Sequence, residues 1–97
     1  MKILGRGLDT FFNSDNLFKK ALDLDEEGNV FYAFHYYMKA AESGEEIKSK
    51  ALNNAAVILA ENGFEKEAID LLKKALEANP ENEEARENLE YLEKILG

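Results

Sequence analysis

The chain has 97 residues, 45% of them hydrophobic and 33% charged, with one Pro, six Gly and no Cys, so it has room for one folded domain and is too apolar for a disordered one. Its net charge is -8, and the excess acid is spread over both halves: six Lys or Arg against nine Asp or Glu in 1–48, then six against eleven in 49–97. Nucleic acid and anionic lipid need a basic footprint that no stretch provides, and no apolar run approaches the roughly 20 residues that span a bilayer. The absence of cysteine removes disulfides and thiolate chemistry, and the opening MKILGRGL has no apolar signal core, so the expected location is cytoplasmic.

Residues 1–13 form an N-terminal arm, with Ile3, Leu4, Leu8, Phe11 and Phe12 around a Gly5-Arg6-Gly7 hinge. That glycine pair lacks the further residues of a dinucleotide or phosphate loop. From 14 onward the chain matches itself at a shift of 35 residues, with ten identities between Ser14 and Glu42. Among them Ser14 meets Ser49, Leu17 Leu52, Ala21 Ala56, Leu24 Leu59, Gly28 Gly63, Ala33 Ala68 and Ala40 Ala75.

Leu17, Ala21 and Leu24 are spaced as one stripe of a helix near 15–26, with Ser14 as its candidate N-cap. Gly28 ends that helix, and a second, near 30–43, carries Ala33, Tyr37 and Ala40 inward before Gly44. Phe31 and Tyr32 stand beside Ala33 and cannot share its face. A third helix near 47–61 repeats the design with Leu52, Ala56 and Leu59, and a fourth near 65–78 with Ala68, Leu72 and Ala75, closed by Asn79-Pro80. The fifth, near 82–96, places Ala85, Leu89, Leu92 and Leu96 on one side and glutamates on the others, as suits a cap on stacked repeats. Alanines opposite large residues let neighbouring helices approach closely.

The second unit, AVILAENGFEKEAIDLLKKALEANPEN, resembles the tetratricopeptide repeat through Leu52, Ala56, Leu59, Gly63, Ala68, Leu72, Ala75 and Pro80. The first, GNVFYAFHYYMKAAESG, is also similar to Sel1-like repeats, in which paired aromatics precede Lys-Ala-Ala-Glu-x-Gly. Lys20 departs from the usual buried leucine, and Glu45 stands where the proline would be. The resemblance covers 14–97 and implies an all-α, right-handed superhelical stack of antiparallel helix pairs, about two repeats and a capping helix, divided as 14–48, 49–82 and 83–97. It also implies a scaffold that binds a peptide or helix of a partner protein in a concave groove lined by the first helix of each pair.

One position on from the inward stripe, Phe18 and Leu22 rotate toward the concave side, and the matching residues are Asn53 and Val57, with Lys50 and Asn54 beside them and Tyr91 in the capping helix. Phe18, Leu22, Val57 and Tyr91 make an apolar strip edged by amides and one lysine, as in a peptide groove. Lys50 and Asn54 resemble part of the carboxylate clamp of some family members, although Phe18 and Leu22 occupy the rest of that region. Two alternatives stay open: the arm covers the strip, or a second copy does, as a homodimer or by arm exchange.

No enzymatic, cofactor or metal function is expected. The acidic turn Asp23–Gly28 has Phe34 where a calcium loop needs its closing Glu. His35 is the only histidine, and Thr10, Ser14, Ser43 and Ser49 show no base and oxyanion partners. The glutamates of 81–93 read as an exposed helix face with near-neighbour ion pairs.

Overall fold

A computed structural model describes residues 13–96, with side chains from Leu17 onward. It contains five helices: α1 (Asn13–Glu26), α2 (Val30–Ala40), α3 (Glu45–Glu61), α4 (Glu65–Ala78) and α5 (Glu83–Leu96). No strand occurs among the described residues, and no helix among them is long and apolar enough to cross a membrane. The expected N-terminal arm lies outside the described residues, apart from Asn13, which is already helical. Ser14 sits inside α1 rather than ahead of it.

The two turns that the repeat predicts are built alike. At the end of α1 the Gly28 N–H donates to the Asp25 carbonyl at 3.0 Å and the Asn29 N–H to the Leu24 carbonyl at 2.8 Å; at the end of α3 Gly63 donates to Ala60 at 3.2 Å and Phe64 to Leu59 at 2.8 Å. Both are Schellman closures, and both glycines have positive φ, 86° and 89°, which a Cβ would strain. A Cβ at either site would meet no atom within 4 Å, so glycine is needed there for its backbone and not for space.

Between α2 and α3 the expected boundaries shift. Glu42 and Ser43 donate to the carbonyls of Lys39 and Ala40, three residues back, which tightens the chain into turns and ends α2 at Ala40 rather than 43. α3 then starts at Glu45 because the Gly44 carbonyl accepts the Lys48 N–H at 2.9 Å, with Glu45 and Glu46 favourably placed in its first turn.

Ala21, Ala33, Ala40, Ala56, Ala68, Ala75 and Ala85 are fully buried. Around them sit two core clusters, one centred on Leu52, Leu72 and Leu92 and the other on Tyr37 and Ile58. α3 is the central element. Ala51, Leu52, Asn53, Ala55 and Ala56 are all buried, which covers more than one face of the helix, since α2, α4, α1 and α5 all pack against it. α1 and α2 are also tied by a polar bond. The buried Tyr37 hydroxyl donates to Asp25 Oδ2 at 2.8 Å, and burial, reinforced by that bond, pushes the phenol well above its usual range.

A candidate partner-binding groove

The inner wall of α3 is joined to α5 by a chain of short polar side chains. Ser49 is fully buried; its hydroxyl donates to the Ala75 carbonyl at 2.7 Å, where α4 ends, and accepts from Asn82 Nδ2 at 2.8 Å. The other end of the Asn82 amide caps α5, its Oδ1 accepting the Ala85 N–H at 3.1 Å. One turn further along α3, Asn53 Oδ1 accepts from Asn88 Nδ2 at 2.9 Å, while Asn53 Nδ2 donates to Glu84 Oε1 and Asn54 Oδ1, each at 3.3 Å. Arg86 bridges back to the Pro80 carbonyl and to Glu83 Oε2. α5 is thus held to α3 and to the end of α4 through its first two turns. Its second half is left to packing alone.

Asn53 departs from its expected place on the groove surface. It is only 2% exposed, because α5 lies across that side of α3 and brings Glu84 and Asn88 over it. A buried amide requires such partners, so Asn53 fastens two helices instead of facing a ligand.

The other six residues do not form one strip. Phe18 turns partly inward, its ring 5.8 Å from that of Tyr37, and it packs against both core clusters. With Lys50 and Asn54 it borders a hollow of about 370 Å³, closed on the far side by the polar residues of the α4–α5 connection at Asn79–Glu84. Leu22 is exposed and borders neither this hollow nor the next. Val57 and Tyr91 border a separate, mostly apolar groove of about 310 Å³, lined by the C-terminal half of α5 together with α3 and the start of α4. Ala56, Ala60 and Leu92 form its floor, Ile95 extends it, and Glu61 and Glu65 stand at its edge. Tyr91 is 63% exposed and Ile95 55%. Leu96, expected inward with Leu92, is exposed as well.

Sequence reasoning therefore placed Val57 and Tyr91 together and missed Ile95 and Ala60, which the spacing Leu92–Ile95 on α5 and Val57–Ala60 on α3 would have brought in. It set Phe31 and Tyr32 off the face of Ala33 without assigning them to a surface, and the structure shows that surface. Phe31, Tyr32, His35 and Met38 on α2, joined by Phe64, leave large rings open to solvent. Elsewhere the chemical groups are used structurally. Ser49 and Tyr37 are engaged as above, Ser43 closes the end of α2, and His35 stacks edge-on with Tyr36 at 5.3 Å. Among the described residues no three metal-ligating side chains gather.

A comparison of the sequence with protein-family models returns no match, and a comparison with curated proteins returns none either.

Proposed function

We propose that the chain is a protein-interaction module that holds an apolar segment of a partner protein, a peptide or a helix, in the groove between α3 and α5. The helices are read as a right-handed, tetratricopeptide-like stack of two pairs with α5 as a cap, acting in the cytoplasm without bond-making chemistry of its own. The observation that carries this reading is the open apolar groove: Tyr91 and Ile95 stay exposed above a floor of Ala56, Ala60 and Leu92, on a helix whose other outward positions are chiefly glutamate. Apolar side chains left at an open groove favour an occupant, because covering them removes apolar area from water. The polar bonds of Ser49, Asn53 and Asn82 support it by fixing the first half of α5, which sets the direction in which the helix carries Tyr91 and Ile95 past α3.

Capture of partner protein from native lysate tests the reading. Val57→Ala combined with Tyr91→Ala should abolish capture and leave helicity and melting unchanged. Equal recovery by wild type and variant would place the binding surface elsewhere.

A further inference from the structure

The two repeats provide an internal comparison. At the 35-residue shift, Phe31, Tyr32 and His35 of α2 correspond to Lys66, Glu67 and Asp70 of α4, and each pair has the same exposed class while the flanking Ala33 and Ala68 are both fully buried. The fold accepts charge at these three positions, since the second repeat carries it. The first repeat carries two aromatic rings and a histidine instead. Phe31 is 79% exposed, Tyr32 56%, and Phe64, at the start of the next pair, 52%. Contiguous exposed apolar surface, at positions where the fold accepts charge, is a candidate for a functional contact.

We propose that this α2 face is a homotypic contact, covered in solution by the same face of a second copy of the chain. Two features favour a copy over an unlike partner. First, the face holds both halves of a contact. Phe31 and Tyr32 stand edge to face, ring centres 5.7 Å apart, beside a hollow of about 400 Å³ whose walls include Phe34, His35 and Met38; Phe31 also borders a hollow of about 330 Å³ reaching Ile58 and Phe64. A two-fold axis across α2 seats each Phe31 in the hollow of the other copy, as an isologous interface requires. Second, copies of net charge -8 repel one another, and the repulsion is least where no like charges are brought face to face; neither hollow is bordered by an Asp, Glu, Lys or Arg among the described residues. The groove of α3 and α5, by contrast, has Glu61 and Glu65 at its edge.

The area sets the strength. With roughly 200 Å² for a fully open ring, the three exposures amount to about 375 Å² per copy, around half of what a standard stable interface buries on each side. The dimer is accordingly weak, of the transient class that forms only at high concentration.

Sedimentation equilibrium of the full chain from about 5 µM to about 1 mM tests the proposal. The mass of the wild type should rise from one chain toward two, and the rise should strengthen with added salt, which screens the repulsion between like-charged copies. The triple variant F31K/Y32E/H35D, which copies the second repeat, should remain at one chain with an unchanged melting temperature. Phe31→Ala, which adds no charge, should weaken association about tenfold or more. A wild type of one-chain mass throughout would overturn the proposal; if the triple variant then melts lower, a segment of the chain itself covers the face. Association that persists in the triple variant would overturn it too, by placing the contact elsewhere.

Discussion

Replacing Ser49 by Ala removes a hydroxyl that bonds to two helix ends at once. It loses the 2.7 Å bond to the Ala75 carbonyl and the 2.8 Å bond from Asn82, inside a site with no exposure to solvent at Ser49 itself. The Ala75 carbonyl keeps its bond from the Asn79 N–H at 2.9 Å, and Asn82 is only half-buried, so its amide recovers some hydration. Neither group is stranded, and the cost is that of two net hydrogen bonds, about 2 kcal/mol in all. For a domain of this length that lowers the melting temperature by about 8–16 °C. Thermal unfolding followed by circular dichroism measures it directly. Because Asn82 also caps α5, Ser49→Ala and Asn82→Ala should be coupled by about 1 kcal/mol in a double-mutant cycle. A fall of less than about 3 °C, or strictly additive substitutions, would refute the claim that this serine fastens α3 to the α4–α5 corner.

Ala56 and Ala68 are fully buried where α3 and α4 meet, so Ala56→Leu and Ala68→Leu should each cost about 1–3 kcal/mol by overpacking, read as a lower midpoint in urea. Gly63→Ala should cost about 1–2 kcal/mol through its φ of 89° alone, since the methyl meets nothing, and the loss should appear without any change in the unfolding slope. Tyr37→Phe should cost about 1 kcal/mol at neutral pH, the bond to the half-buried Asp25 being lost. It also has a pH signature. The folded phenol holds its proton where the unfolded one, at 10.0, has released it, so this stabilisation is complete below pH 10 and is lost as pH rises further. Wild type should therefore lose stability above that pH more steeply than Tyr37→Phe, and parallel profiles would show that the buried hydroxyl contributes nothing.

Five helices and their order were legible because each carries its own stripe and stop: Leu17, Ala21 and Leu24 before Gly28, or Ala68, Leu72 and Ala75 before Asn79-Pro80. The end of α2 was not, because Ala41, Glu42 and Ser43 suit a helix locally, and only the three-residue bonds of the turn show where it stops. For the groove, periodicity gave the angle of each side chain about its own helix but not which neighbour covers that angle. On α1, position 18 turns toward Tyr37, and on α3, position 53 disappears beneath α5, whereas the corresponding angle at Val57 stays open. α3 is the hardest case, since a helix packed by four others has no single buried stripe to read. Phe31 and Tyr32 were visible as residues unable to share the face of Ala33. Their meaning emerged only when the structure gave Lys66 and Glu67 the same exposure.

The central claim is that a partner segment lies against α5 in the α3–α5 groove. Photo-crosslinking tests it most directly, with benzoylphenylalanine placed at Tyr91, inside the groove, and separately at Lys66, an exposed position outside it. Irradiation in native lysate should give one dominant heterologous adduct from position 91 that unlabelled protein competes away, and none from position 66. Equal adducts from both positions, or none from position 91 in a chain that still captures partner, would contradict the account.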